Sequence, residues 1–99
     1  MTQEFIDKGN KLIHECIGLT TPTYKFHKTY FILNFLIDFV SKDAFVDIQF
    51  SGGNCSVEIS KDFDFKTQAH GTPTEAMFKA AVAYLEWENQ QDDTQEQIS

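Results

Sequence analysis

Ninety-nine residues with a formal charge of −7 and ten Phe describe one small acidic domain whose core rests on large rings. All eight basic residues are Lys and Arg is absent. That removes the bidentate clamp for phosphate and, with the net negative field, argues against direct contact with nucleic acid or an anionic membrane. The longest apolar run, Tyr30 to Val40, is interrupted by Asn34 and Asp38 and is too short to cross a bilayer.

The opening residues Met1-Thr2-Gln3-Glu4-Phe5 are polar and acidic and do not read as a signal peptide. The only two cysteines, Cys16 and Cys55, are therefore expected as free thiols in a reducing, cytoplasmic setting. A first helix is expected over residues 3–17, where Phe5, Leu12, Ile13 and Cys16 share a face. Gly9 and Asn10 weaken its middle, which puts the stable part at Asn10 to Ile17, and Gly18 stands where a helix-ending glycine belongs. Residues 19–26 connect to a second helix from about Lys28 to Ser41. Asn34, Asp38 and Ser41 form its narrow polar stripe, and the rest of its surface is apolar enough to be buried on more than one side. Phe31 and Phe35 flank that stripe and are the aromatics expected to be exposed.

Period-two alternation predicts strands next. Val46, Ile48 and Phe50 alternate with Phe45, Asp47 and Gln49; a turn at Ser51-Gly52-Gly53-Asn54 follows; then Cys55, Val57 and Ile59 point inward. The alternation resumes in Asp62-Phe63-Asp64-Phe65-Lys66, read as a third strand in preference to a continuation of the second, with residues 67–71 as a loop. The clearest helix start in the chain is Thr72-Pro73-Thr74-Glu75, a capping box with Pro at the first helical position. This helix, running to Trp87, is expected to roof the sheet through Ala76, Met77, Ala80, Tyr84 and Trp87, with Lys79 and Glu86 on its far side. From about Asn89 the composition turns to Gln, Asp, Glu and Thr, and the tail 89–99 is expected to be disordered. The fold class is thus α+β: a single domain over residues 1–88, with a small antiparallel sheet of two to three strands in residues 44–66 packed by helices, in the order α-α-β-β-(β)-α.

Three stretches resemble a family of small phage and prophage proteins, the phage αβα-sandwich type. They are Asn10 to Gly18, a helix ending in glycine; Phe26-His27-Lys28-Thr29-Tyr30 with the apolar residues Leu33, Leu36, Ile37 and Val40; and Pro73 to Trp87. The resemblance covers most of residues 10–88. Tyr30 stands where the family usually has Trp, and Asn34-Phe35 where it often has Met-Pro. The resemblance implies a virus-associated origin and a sandwich-like fold, and no activity.

Weighed for chemistry, the sequence yields no catalytic set, cofactor motif or metal motif. His14-Glu15 would need a second His at position 18 to make a zinc-protease pair, and that residue is Gly18. His14 is therefore expected as a surface or half-buried helix residue. Cys16 and Cys55 fall on apolar phases and read as buried small hydrophobes, not as partners of His14, His27 or His70. Asp62-Phe63-Asp64 begins like a calcium loop and fails at Lys66. Gly52-Gly53 leads into a strand, not a helix N-terminus, so it is a turn and not a phosphate nest. Asn54-Cys55-Ser56 matches a glycosylation pattern that is meaningless without secretion.

The carboxylates Asp47, Glu58 and Asp64, with Asp62 at the edge, are expected to share the outward face of the sheet. Such a face would imitate the charge of nucleic acid toward a basic groove, or simply keep the sheet soluble. The expectation is a non-enzymatic, phage-encoded accessory protein in the host cytoplasm. It would bind a host or phage protein, such as a defence or nucleic-acid-processing factor, through Asp47, Glu58, Asp62, Asp64, Phe31 and Phe35. The competing expectation is a homo-oligomeric structural or virion-associated module, motivated by the over-apolar second helix.

Overall fold

The computed structural model describes residues 1–18 and 25–98; most of the expected connection at residues 19–26 lies outside them. The element order is α1 (Gln3–Cys16), α2 (Phe31–Phe35), a π-helical segment (Leu36–Val40), α3 (Ser41–Asp43), β1 (Phe45–Ser51), β2 (Asn54–Lys61), β3 (Phe65–Gly71) and α4 (Pro73–Ile98). α2, the π segment and α3 follow one another without a break, as one helical stretch over 31–43. The three strands form an antiparallel sheet in the order β1-β2-β3. The fold is the α+β arrangement that the patterning specifies.

Two tight turns build the sheet. Gly52 and Gly53 both carry positive φ (56° and 82°), giving the two-residue hairpin whose twist suits paired strands. Between β2 and β3 the turn is Asp62-Phe63-Asp64. Asp62 takes the positive φ of 52° there, and the amide of Asp64 donates to the carbonyl of Lys61 (3.2 Å). β3 therefore begins at Phe65 and runs through Thr67 to Gly71, the stretch read above as a loop. Its inward residues Phe65, Thr67 and Ala69 shrink along the strand, which hides the alternation from a hydropathy reading.

Register assigns the faces. Val46–Ile59–Thr67, Ile48–Val57–Ala69 and Phe50–Cys55–Gly71 form the inward rows; Phe45–Ser60–Lys66, Asp47–Glu58–Gln68 and Gln49–Ser56–His70 form the outward rows. α4 packs on β2 and β3, and it also touches α1, α2 and the π segment. Ala76, Met77, Phe78, Ala80, Ala81, Val82, Tyr84 and Leu85 are all buried in consequence. A roof that is itself covered needs small residues on one side to approach the sheet and large ones on the other to fill the gap to α1. Pro73 opens α4 as its sequence requires, and the carbonyl of Thr72 accepts from Ala76 N (2.8 Å). Past Asn89 the helix continues to Ile98. Gln and Glu are good helix formers, and no Gly or Pro follows Asn89 to stop the helix.

α1 is capped by Thr2, whose Oγ1 accepts from Phe5 N (3.1 Å). Its buried residues are Gly9, Asn10, Ile13 and His14, so the face toward α4 is rotated from the expected one. His14 is fully buried, with its ring edge against Phe26 and Nδ1 donating to the Asn10 carbonyl (2.5 Å). Cys16, expected inside, is exposed. Gly9-Asn10, expected as the weak middle, is buried in close contact with its neighbours. The Phe78 ring lies directly on Gly9, and the Asn10 carboxamide bonds to Ile6, Phe26 and His27.

Candidate functional site

Among the described residues the helices pack on the inward rows, and Phe45, Gln49, Lys66, Gln68 and His70 of the outward rows are exposed, which makes that side an open face. Asp47 and Glu58 are cross-strand partners at its centre. Glu58 is held within the face: its Oε1 accepts from Gln68 Nε2 (3.1 Å) and pairs with Lys66 Nζ (3.4 Å). Asp47 accepts from Gln49 Nε2 (3.1 Å). Asp62 and Asp64, expected on the same pleated surface, stand instead in the β2–β3 turn. The reason is the shift of β3 toward its C-terminal end: a three-residue turn takes up the segment that was read as strand. Lys66 and His70 join the outward rows as a result, so the open face is mixed in charge and the acidity concentrates at the turn. Between the two turn carboxylates, Phe63 is fully exposed at the tip. Sequence reading passed over Phe63, although an aromatic flanked by two acids in a short turn is a visible signal once the turn is recognised.

The second helix carries the other expected contact residues. Phe31 is half exposed, at 50%. Phe35, expected to be exposed with it, is buried at 3% and stacks on Phe39 with ring centroids 5.5 Å apart. Ile32, Phe35 and Leu36 follow the three-and-four spacing that faces the core, and a helix apolar around most of its girth gives periodicity no face to select. Phe31, Phe39 and the Ile17 side chain line a shallow apolar groove with Asn34 and Asp38 on its rim.

The thiols are poorly placed for nucleophilic work. Cys16 borders a shallow pocket with Leu12, Glu15, Leu85, Glu88 and Asn89. The residue is exposed overall, but partial burial of its sulfur in that pocket, then the nearby Glu88 carboxylate, raises its pKa, the opposite of what activates a cysteine. Cys55 is buried and is also pushed up by burial. Glu88 is itself engaged by the Tyr84 hydroxyl and by Lys61 Nζ (3.3 Å). The Tyr84 pKa is raised by burial first and by that carboxylate second. We expect one thiol per chain to react with a maleimide or disulfide reagent in the folded protein, more slowly than a free cysteine, and the second only after denaturation. Two fast thiols in the native state would contradict this placement. Among the described residues no group of three or more His, Cys, Asp and Glu is arranged to hold a metal ion. No described helix is long and apolar enough to cross a membrane.

His27 supplies the clearest pH response. Asn10 Oδ1 accepts from Phe26 N (2.9 Å) and its Nδ2 donates to Ile6 O (3.1 Å), which fixes the amide orientation. The remaining Nδ2 hydrogen meets His27 Nδ1 at 3.1 Å, so that nitrogen is an acceptor and the ring is neutral. Desolvation, then Lys28 and Lys25, holds the His27 pKa below its ordinary 6.5, with Asp7 opposing. Below that value the unfolded chain takes up the proton first. Stability therefore falls as pH drops through 6.5 toward the folded pKa, and is regained above it. Urea midpoints measured from about pH 7.5 down to about 5.5 are expected to fall, and a His27→Gln variant to show a flatter slope.

No family model matches the chain, and neither curated proteins nor solved structures give a match. The functional reading therefore rests on the surfaces just described.

Proposed function

We propose that this protein is a non-catalytic binding module that engages a protein partner through the β2–β3 tip and the adjoining open sheet face. The observation that carries the reading is Phe63, fully exposed between Asp62 and Asp64 at the end of a tight hairpin. An aromatic side chain held out on a short turn is a low-entropy anchor for an apolar pocket, and aromatics dominate interface energetics. The flanking carboxylates, backed by Asp47 and Glu58 on the outward rows, suit a pocket rimmed by Lys or Arg and steer its approach. The net charge of −7 favours the same class of partner. Through the resemblance to small phage proteins, the partner we propose is a host defence or nucleic-acid-processing factor whose basic groove normally receives a polyanion.

The test is affinity capture from a host lysate with the wild-type protein, Phe63→Ala, and the Asp62→Asn/Asp64→Asn pair. All three should fold alike, since the turn side chains are exposed. A protein retained by the wild type, lost with Phe63→Ala, and released from the wild type by moderate salt supports the reading. Retention that is indifferent to both variants removes the tip from the function.

A further inference from the structure

The outer edge of β1 offers a second surface, independent of the tip. β1 is a terminal strand of the sheet, and no described residue pairs with its outer side. Its pairing with β2 runs unbroken from Phe45↔Ser60 to Ser51↔Asn54, so it has no bulge; it also has no Pro and no Lys. Those are among the devices by which natural sheets blunt an edge, and Asp47 is the one charge that β1 carries. The opposite edge strand, β3, does carry Lys66. Val46 and Ile48 on β1 are only half buried, and Phe50, on the same inward face, is 62% exposed.

We propose that β1 pairs antiparallel with β1 of a second copy of this chain, about a two-fold axis at Ile48, to give a continuous six-stranded sheet. The hairpin fixes which groups are available. In a two-residue turn the flanking pair, Ser51 and Asn54, is the hydrogen-bonded one. Alternation from there directs the backbone N–H and C=O groups of Phe45, Asp47, Gln49 and Ser51 toward β2. Those of Val46, Ile48 and Phe50 point outward. A two-fold at Ile48 sets Ile48 against Ile48, and Val46 against Phe50 of the second copy. Every outward residue then meets an outward residue, and three amides from each copy find an acceptor.

Side chains select this register over its neighbours. On the inward side, Val46, Ile48 and Phe50 of both copies join in one apolar row that covers the exposed Phe50. Outward, Asp47 falls opposite Gln49 of the second copy, a carboxylate against a carboxamide, and this occurs twice. Shifting the axis to Asp47 would oppose two Asp47 carboxylates at the close, non-hydrogen-bonded spacing, which is destabilising. Moving it to Gln49 would run Val46 and Phe45 against the glycine turn of the other copy and shorten the ladder. The open face and the Phe63 tip stay free in this dimer, so its failure would leave the binding reading untouched.

Sedimentation equilibrium across about 1–200 μM is the test, on the wild type and on three variants of exposed β1 side chains. The wild type should move from monomer, 11.4 kDa, to twice that mass. Phe50→Lys should stay monomeric. Gln49→Glu, which sets a second acid against Asp47 twice, should weaken association by about 10-fold, and Gln49→Lys should tighten it. Protection of the Val46, Ile48 and Phe50 amides from hydrogen exchange should rise with protein concentration, while that of Asp47 and Gln49 does not change. A wild type that is monomeric throughout overturns the proposal and leaves the edge to some other extended chain. A dimer indifferent to Phe50→Lys and to charge at position 49 overturns it equally, and would point to the aromatic groove of the second helix.

Discussion

Replacing Gly9 with alanine is expected to destabilise the protein by about 1–3 kcal/mol, although the same change in an ordinary helix interior stabilises by roughly 0.5–1 kcal/mol. A Cβ at this position would stand 2.4 Å from Phe78 Cζ, 2.6 Å from Val82 Cγ2 and 2.9 Å from Phe78 Cε1. These are side-chain atoms, and a surface side chain would simply swing aside. Phe78 has nowhere to go: it is fully buried, with Phe5 and His27 edge-on to it at centroid distances of 5.8 Å each. The strain must then be taken up by separating α1 from α4. Thermal melting should show a fall of about 4–8 °C for each kcal/mol lost in a domain of this size. Phe78→Leu removes the ring atoms that collide, so the double variant should lose less than the sum of the single losses. A Gly9→Ala protein that melts above the wild type would show that α1 does not lie against α4 in this way.

That contact also marks how far sequence reading carries. Phe5, Gly9 and Ile13 recur every four residues, so Gly9 sits on the apolar stripe of α1. Taken for propensity alone, a glycine in mid-helix reads as weakness; taken in phase with its apolar neighbours, it reads as a place where another element comes close. The strong local signals were sufficient elsewhere. Gly52-Gly53 fixed the first hairpin, and Thr72-Pro73 fixed the start of α4, because both depend on backbone preferences that no distant contact can override cheaply.

Signals that depend on what lies opposite were weaker. β3 pairs with β2 through residues as small as Ala69 and Gly71, and its assignment follows from the ladder and from the close approach of α4, not from its own hydropathy. Phe35 and Cys16 were misjudged for a related reason. Each lies near the boundary of its helix's buried arc, and the position of α4 decides on which side of the boundary it falls. The candidate site was legible to a comparable degree. Asp47 opposite Glu58 follows from the hairpin register alone, whereas placing Asp62, Phe63 and Asp64 at a tip requires knowing where β3 begins.

Asn10→Ala should be at least as damaging as the glycine change, and through a different mechanism. The Asn10 side chain joins α1 to residues 16 and 17 positions away, accepting from the Phe26 amide and meeting the His27 ring. Truncation removes the oxygen that accepts from the buried Phe26 amide, and with it the tie that seats residues 26–27 on α1. Losing that hydrogen bond to a buried amide is worth about 1–3 kcal/mol. Asn10→Asp separates the roles of the two ends of the carboxamide. One carboxylate oxygen can still accept from Phe26, but the other now faces the Ile6 carbonyl and His27 Nδ1, both acceptors. The second conflict disappears when His27 takes a proton and Nδ1 becomes a donor to the carboxylate. In that variant the folded pKa of His27 is raised, not lowered. Its stability contribution is then complete below the unfolded value of 6.5 and is lost as pH rises through the folded pKa. Wild type and Asn10→Asp should thus show opposite slopes of urea midpoint against pH around neutrality. Parallel slopes would mean that His27 does not meet Asn10 in the folded protein.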